Sequence, residues 1–433
     1  MNDRVVMDSV VEDLERKLVS VVKVDAIIKH PKADRLELAI IGGWQCCVKI
    51  GEFKAGDLAI YCEIDSMVPI ENPIFSFLEE RKNGLRSVDD VLYYRINTIK
   101  LQKEISQGLL LPIPSSVRTN FPKLEVGQDL TSVLGVKKYE VKQKNVQNAV
   151  TYQVRDNWVC SLANWIMGAP KETIQLAWPS HIRRTAEERV QNIHARYQQA
   201  LEQEETFEVS YKLDGTSMTV YLKADSEANT SLGVCSRNAE LSDVPVYWSK
   251  FRQLRIWLAH LLFVNQRLFS KWRISIPKWE RGVFPTDNQY HDIAINLNIL
   301  DKLNKWYIRT GDKLVLQGEL IGEGISALNR SNYEGIVGRK FCIYSVLVDN
   351  GKEVIRLSNA DARSCVKALS LEYIPLLASE LTLPPTIKEC LAMAEGNCYW
   401  KSDRTREGLV FKSNSRDFSF KVISNKYLLA EEK

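Results

Sequence analysis

The sequence predicts an α+β protein with a small β-barrel at its N-terminus and a larger domain of antiparallel sheets with flanking helices. Short, β-rich segments separated by turn residues run from Lys17 to Pro112. A polar helical pattern follows Arg189, and apolar β-rich segments recur from Phe207 to the end of the chain. A chain of 433 residues is long enough for two or three such domains, each with its own core.

The N-terminal segments are spaced as in a small barrel. Alternating or β-branched runs at 17–28, 36–41, 44–50 and 57–64 predict four strands, with the turns at 30–35 and 51–56 between them. Further strands are predicted at 94–100 and 106–112. This pattern is typical of an OB-type barrel, which we place at 17–115. Such a barrel either contacts RNA through basic and aromatic positions or serves only as a packing module.

Composition limits the partners and the compartment. A net charge of +4 permits a polyanionic partner without requiring one. The nine cysteines include no Cys-x-x-Cys pair, which argues against a zinc site or a disulfide framework and favours a reducing, intracellular compartment, cytoplasmic or nuclear. Apolar runs fall short of the roughly 18 residues that a membrane span needs, so we expect no membrane partner.

The remaining chain divides into a linker at 116–176 and a second domain at 177–433, with an insertion near 250–310. Thr185 and Glu188 have the spacing of a capping box, which predicts a helix that continues to Leu201. A strand from Phe207 then leads to Lys212, and the alternating segment 218–223 is its predicted hairpin partner.

The segment Lys212-Leu213-Asp214-Gly215 has two interpretations. Asp-Gly is a strong hairpin signal, so the pattern alone fits a turn. It also fits a lysine nucleophile. A neutral amine can attack phosphorus, Asp214 projects to the same face of an extended segment, and Gly215 leaves room for a close approach. The rest of the chain must decide between the two.

Further polar residues follow on β-rich segments, in positions from which they are predicted to project into a shared cleft. These segments are Cys235-Ser236-Arg237-Asn238, Gly318-Glu319-Leu320-Ile321-Gly322, Phe341-Cys342-Ile343-Tyr344, Glu407-Gly408-Leu409-Val410-Phe411-Lys412 and Phe420-Lys421.

Taken together, these motifs resemble those of an ATP-dependent RNA ligase. The family belongs to the covalent nucleotidyltransferase superfamily and places an N-terminal OB domain before the ligase domain. Thr185, Glu188, Arg189, Gln191 and Asn192, which precede the lysine, also resemble the RNA ligase pattern. The resemblance implies an ATP-grasp-like ligase domain and a monomer that uses ATP and Mg²⁺ (or Mn²⁺). It also implies an enzyme that seals 3′-hydroxyl and 5′-phosphate ends at nicks or breaks in RNA or RNA-containing duplexes.

The resemblance also implies roles for individual residues. The catalytic residues would be Lys212, Asp214, Glu319, Glu407 and Lys421. ATP would be held by Arg189, Gln191, Lys212, Gly215, Arg237, Glu319, Phe341, Lys412 and Lys421. The metal would be held through waters by Asp214, Glu319 and Glu407. Phe341 is the expected stacking partner of adenine, and Tyr344 is the alternative.

Two other functions stay open at the level of sequence. A DNA ligase or a GTP-using capping enzyme is expected to carry its OB domain after the catalytic domain, where only about a dozen residues follow Lys421 in this sequence. A non-catalytic RNA-binding protein would fit the segment His30–Arg35, which is similar to tRNA-binding barrels. It would not explain why Lys212, Glu319 and Lys421 occur together.

Overall fold

The computed structural model describes residues 17–81, 84–139, 175–185, 187–226, 229–241, 289–327 and 330–430. Two compact units divide the chain. The first consists of Met1–Lys142, Ala186–Leu213 and Leu376–Lys433, and the second of Gln143–Thr185 and Asp214–Pro375. Most of the predicted linker (140–174) and of the predicted insertion (250–288) lies outside the described residues.

The N-terminal part of the first unit consists of short strands and one helix. They are β1 (Val19–Lys23), β2 (Ala26–Lys29), β3 (Leu36–Ile41), β4 (Trp44–Lys49), β5 (Leu58–Cys62), β6 (Ser66–Pro69), β7 (Leu85–Val88), β8 (Val91–Arg95), β9 (Ile99–Leu101), β10 (Glu104–Ser106), β11 (Leu109–Pro112), α1 (Ser115–Asn120) and β12 (Lys137–Lys138). They pair in the orders β1-β5-β11, β2-β3-β4, β12-β6-β8-β7 and β9-β10.

Strand β5 is the centre of this barrel. Ala59 and Tyr61 belong to one apolar cluster, while Ile60 and Cys62 belong to another. Successive residues of a strand point to opposite faces, so β5 is buried on both sides and its sequence is apolar without interruption. The segment predicted as one strand at 17–28 is two strands, because the chain changes partner at Val24 from β5 to β3. Likewise, the strand predicted at 94–100 is interrupted between β8 and β9.

From residue 175 onward the described strands are β13 (Gln175–Leu176), β14 (Glu188–Arg189), β15 (Thr206–Lys212), β16 (Thr216–Ser226), β17 (Asn229–Cys235), β18 (Glu240–Leu241), β19 (Lys313–Gly322), β20 (Ser326–Ala327), β21 (Arg330–Ser331), β22 (Arg339–Asp349), β23 (Val354–Arg356), β24 (Glu372–Tyr373), β25 (Leu376–Thr382), β26 (Gly408–Ser413) and β27 (Ser419–Ile423). The described helices are α2 (His194–Glu202), α3 (Gln289–Asn296), α4 (Ile299–Thr310), α5 (Asn359–Ala368), α6 (Ile387–Ala394) and α7 (Asn425–Ala430). No helix among the described residues is long and apolar enough to cross a membrane.

In the first unit, a five-stranded sheet has the order β14-β27-β26-β15-β25. Its β14–β27 pair is parallel, and the other pairs are antiparallel. One face carries Phe207, Phe411 and Phe420, which pack with helices α2 and α6 in a buried cluster. The alternate residues of these strands therefore point to the opposite face.

In the second unit, the large sheet has the order β13-β18-β17-β16-β19-β22-β23, with β24 paired in parallel to β22. Helices α3, α4 and α5 contribute apolar residues to a core that covers one face, including Ile293, Leu303 and Val366. The other face carries polar residues towards one end, among them Ser217, Gln317 and Glu319, and a small apolar cluster of Tyr221, Val315 and Leu347 towards the other.

Two local predictions were wrong. The segment Lys212–Gly215 is not a hairpin turn, because β15 pairs with β25 and β26 whereas β16 pairs with β17 and β19. Thr185 does not cap a helix: its hydroxyl lies 2.9 Å from that of Tyr344. Glu188 begins β14, which pairs with Phe420 and Lys421, and the helix starts only at His194.

Candidate active site

Lys212 is the last residue of β15 and lies on the sheet face that points away from the phenylalanine core. Cross-strand registers place two more lysines on this face. Lys421 stands beside Arg189 of β14 in the parallel pair, and Lys412 stands directly across from Glu208. The structure thus brings together four of the predicted cationic residues on one face of one sheet.

Lys212 forms a close ion pair with Glu407. Its Nζ lies 2.6 Å from Oε1 of Glu407, and the two side chains are 26% and 17% exposed. The pair forms because Gly408, the first residue of β26, stands opposite Lys212, which leaves Glu407 at the same end of the sheet. A carboxylate at this distance holds the ammonium in place through a charge-assisted hydrogen bond.

Arg189 and Gln191 contact the turn between β3 and β4 of the barrel. The guanidinium carbon of Arg189 lies 5.9 Å from the centroid of the Trp44 ring, at the limit of a cation–π contact. Gln191 is buried, and a side chain added at Gly43 would approach its Cγ to 3.5 Å. Within the described residues, Oε1 of Gln191 has no hydrogen-bond donor, so it can accept one from a ligand.

In the second unit, Glu319 occupies the centre of a polar row. Register places it between Ser217 of β16 and Cys342 of β22. The hydroxyl of Tyr344 lies 3.2 Å from Oγ of Ser217, so Tyr344 points to this same face. The register of β19 and β22 shifts so that Tyr344 is an extra, bulged residue, and bulges commonly redirect a side chain.

Phe341 does not occupy the position expected for adenine stacking. It is 2% exposed and belongs to the apolar core of the second unit. Its Cε2 would lie 2.7 Å from a side chain added at Gly318, so its ring lies on the face of β19 opposite Glu319. The alternative residue, Tyr344, lies on the Glu319 face and is only partly buried.

The Lys-x-Asp-Gly motif is divided between the two units, and Asp214 and Gly215 belong to the second. Asp214 is buried, and its backbone N–H donates to Oε1 of Glu334 at 3.2 Å. A side chain added at Gly215 would lie 2.4 Å from the carbonyl oxygen of Leu320. The close approach of β19 therefore requires a glycine here, and the approach of a nucleotide to Gly215 stays a prediction.

Arg237 stands at an exposed turn between β17 and β18. The turn is closed by the backbone N–H of Ser236, which donates to the carbonyl of Ala239 at 2.9 Å. This places the guanidinium at the surface, where it can reach a polyanion.

Three polar residues of the second unit were not singled out from sequence. Tyr290 bonds Thr216 through their hydroxyls at 2.9 Å, and burial, together with the charge of Glu319, raises the pKa of Tyr290. The other two of these polar residues are Glu334 and Ser217. No sequence spacing marks these residues, because tertiary packing brings each of them close to the Lys212–Gly215 motif or to Glu319. Tyr290 also lies in the segment that was interpreted as an insertion.

The acidic residues offer the oxygen donors that a hydrated divalent cation uses. Among the described residues, no group of three or more His, Cys, Asp or Glu could enclose a metal ion. Glu407 and Glu319 nevertheless offer partly exposed carboxylates, the hard oxygen ligands that Mg²⁺ and Mn²⁺ prefer. Mg²⁺ usually keeps several waters, so one or two carboxylates are a sufficient donor set.

Comparisons with known proteins agree with this architecture. A family model of an OB-fold domain matches residues 18–113, and a family model of RNA ligases matches residues 205–423. No curated protein matches the chain at a significant level.

Solved structures of Naegleria gruberi RNA ligase are similar along almost the whole chain. A variant with ATP and Mn shares 28% identity at a TM-score of 0.61, covering 96% of this chain and 99% of that chain. The same ligase with PPi shares 29% identity at a TM-score of 0.60, covering 96% and 98%. A variant with AMP and Mn matches as well, at 28% identity and a TM-score of 0.61 over 96% and 99%. The predicted fold, an N-terminal OB-type barrel followed by a sheet-rich ligase domain, is confirmed.

Proposed function

Because this chain belongs to the RNA ligase family, we propose that it joins a 3′-hydroxyl to a 5′-phosphate at nicks or breaks in RNA or RNA-containing duplexes, using ATP. The observation that carries the proposal is the arrangement around Lys212. An amine at the end of β15 is paired with Glu407 and shares its sheet face with Lys412 and Lys421. That arrangement supplies a nucleophile, a proton-holding partner and fixed positive charge.

In the first step, Nζ of Lys212 attacks the α-phosphorus of ATP. A nitrogen–phosphorus bond forms, the bond to the bridging oxygen breaks, and pyrophosphate leaves. The attacking amine must first lose a proton, and Glu407, whose Oε1 lies 2.6 Å from Nζ, is positioned to accept it.

The cationic residues are proposed to neutralise the charge of the nucleotide's phosphates. Lys421 and Lys412 are proposed to hold the α-phosphate, because both lie on the Lys212 face. Arg189, next to Lys421, is assigned to the other phosphates of the nucleotide. Phosphoryl transfer depends mostly on such positioning and charge stabilisation rather than on covalent assistance. The exposed Arg237 is assigned to the ribose or the RNA 5′-phosphate.

The last assignments concern the residues that would contact the adenine base and the metal ion. Tyr344 is proposed to stack on adenine, in place of Phe341, and Gln191 Oε1 is available as an acceptor for a nucleotide donor group. Mg²⁺ or Mn²⁺, held through waters by Asp214, Glu319 and Glu407, would supply positive charge to the phosphates.

Two further transfers complete the reaction. The 5′-phosphate of the RNA attacks the phosphorus of lysyl-AMP, which releases the lysine and leaves AMP on the RNA end. The 3′-hydroxyl then attacks that end, forms the phosphodiester and expels AMP. Each step exchanges one phosphorus bond for another, so no oxidant or reductant is needed.

The decisive experiment measures the lysine adduct. Purified protein is mixed with α-phosphate-labelled ATP and magnesium and separated on a denaturing gel. We expect label on the wild-type protein and none on Lys212→Ala. Lys305→Ala is the matched control, because Lys305 also pairs with a carboxylate, Asp301, but on the exposed side of helix α4.

Three outcomes would contradict the proposal: label on Lys212→Ala, labelling from GTP in preference to ATP, or no label on folded wild-type protein from which pyrophosphate has been removed. The last would favour a non-catalytic RNA-binding protein. Nicked duplexes with RNA or DNA on either side of the break then define the substrate.

A further inference from the structure

An aromatic cluster lies in the first unit at the end of β15 that carries Lys212. The rings of Tyr211 and Tyr399 pack edge to face with centroids 5.3 Å apart, and Tyr399 and Trp400 do so at 5.0 Å. The guanidinium carbon of Arg406 lies 5.3 Å from the centroid of Tyr211. Two of these residues immediately precede the ion pair in sequence: Tyr211 precedes Lys212, and Arg406 precedes Glu407.

Arg406 fixes the cluster to the protein. Its side chain is buried and donates hydrogen bonds to the backbone carbonyls of Met393, Ala394 and Glu395 at the end of α6. Gly396 leaves the space for it, since a side chain there would lie 2.9 Å from the guanidinium. The cation therefore cannot leave Tyr211 without breaking three hydrogen bonds, one of them buried and two partly buried.

The loop that carries Tyr399 and Trp400 is also closed at its base. Cys398 is buried, and its N–H donates to the carbonyl of Arg404 at 2.8 Å. The N–H of Arg404 in turn donates to the carbonyl of Lys401 at 3.1 Å, which makes a tight turn at the tip. The two rings are thus presented by a constrained loop.

Tyr399 is nevertheless 54% exposed. It packs edge to face on two neighbours but lies outside the phenylalanine core of this unit. A large ring that is held firmly and left half in water does not contribute fully to the core. Such a ring is suited to a partner that brings a flat apolar face of its own.

The charges around the ring favour a nucleic acid over an apolar protein segment. Lys401 and Arg404 lie on the same short loop as Tyr399, with Asp403 as the loop's one acidic residue between positions 399 and 405. Aromatic rings that stack on bases, next to cations that meet phosphates, are how proteins hold single-stranded nucleic acid. A hydrophobic protein segment would not use these cations.

We propose that Tyr399, supported by Tyr211 and Trp400, is a stacking platform for a nucleobase of the RNA strand next to the break, and that Lys401 and Arg404 meet its phosphates. This site rests on the proposed ligase function and deepens it. Tyr211 precedes Lys212 on β15 and Arg406 precedes Glu407, so the platform lies at the same end of the five-stranded sheet as the ion pair, and a base seated on it would hold the RNA strand at that end.

The test compares Tyr399→Ala with Tyr399→Phe. The RNA is a nicked duplex with a fluorescent adenine analogue beside the break, whose emission falls when it stacks. We expect Tyr399→Ala to weaken RNA binding by roughly 5-fold to 150-fold, the range that corresponds to 1–3 kcal/mol per stacked base, and to abolish the quenching. Tyr399→Phe keeps both, because the ring face is unchanged. Phe77→Ala removes a comparably exposed aromatic ring from the barrel and should alter neither.

The adenylylation assay on the same preparations separates the two proposals. If wild type forms lysyl-AMP but Tyr399→Ala binds and quenches like wild type, the platform is wrong and the ligase assignment stands. If wild type forms no adduct, the ligase assignment itself is wrong. A Tyr399→Ala variant whose RNA binding is intact but whose self-association or protein binding changes would also overturn the platform.

Discussion

At the scale of single residues, strand register decides which aromatic ring can meet a nucleotide. Phe341 and Tyr344 are three residues apart, and either fits the motif. Only the pairing of Cys342 with Glu319, and the bulge that follows, puts Tyr344 on the polar face and Phe341 in the core. Register depends on the partner strand, which the local sequence does not specify.

Substitutions at these two positions should therefore have separable effects. Tyr344→Ala removes the proposed stacking surface, so we expect the KM for ATP in self-adenylylation to rise by roughly 5-fold to 150-fold, as for loss of 1–3 kcal/mol of stacking. Tyr344→Phe keeps the ring and should retain most of the affinity. Phe341→Leu should lower the free energy of unfolding by about 1 kcal/mol without changing KM. A normal KM for Tyr344→Ala would rule out Tyr344 as the stacking residue.

At the scale of elements, the turn between β26 and β27 is held by a buried carboxylate. Glu205 accepts hydrogen bonds from the hydroxyls of Ser413 and Ser415 and pairs with Arg416 through both oxygens. Its side chain is only 3% exposed. The turn joins the strands that carry Lys412 and Lys421, so this carboxylate keeps both lysines in register.

Removing the Glu205 carboxylate should lower the free energy of unfolding. Glu205→Ala leaves Arg416 and two hydroxyls without their acceptor, and we expect a loss of about 3 kcal/mol in the free energy of unfolding, measured with urea. Glu205→Ala with Arg416→Ala should recover part of the loss. Glu125→Ala, which removes one member of an exposed pair with Lys123, should change stability by less than about 1 kcal/mol. Equal losses in Glu205→Ala and Glu125→Ala would contradict the structural role assigned here.

The strands and helices also show which structural features the sequence alone could predict. Alternation located β3, β4, β5, β15 and β16 well, because it reflects which face of each strand is buried. It did not identify partners: β15 and β16 belong to different sheets although only three residues separate them. Glu188 was placed in a helix because its spacing from Thr185 satisfied a local rule, whereas pairing with β27 determined its conformation.

At the scale of the whole molecule, the first unit is built from three distant segments of the chain. The barrel contacts the later segments of this unit. Lys100 of β9 donates to the carbonyl of Leu429 at 2.8 Å. The turn at Gly43 lies against α6, where a side chain would come within 2.9 Å of Cγ2 of Ile387. Because the same turn carries Trp44 next to Arg189, the barrel supports part of the proposed nucleotide site.

Gly43→Ala should therefore affect the chemistry proposed for the five-stranded sheet of this unit. Gly43 has a φ of +88°, which disfavours alanine by about 1–2 kcal/mol, and the added methyl group would also push against Ile387. Gly51→Ala is the matched control, since its φ is +73° but nothing lies within 4 Å. Both variants should lose stability.

Only Gly43→Ala should also displace Arg189 and Gln191 and slow self-adenylylation, by roughly 10-fold to 100-fold if the displacement approaches 1 Å. The rate is measured at a temperature where both variants are fully folded, as judged from their thermal unfolding curves. If both variants adenylylate at the same rate, the barrel turn stabilises the fold without positioning the nucleotide-binding residues.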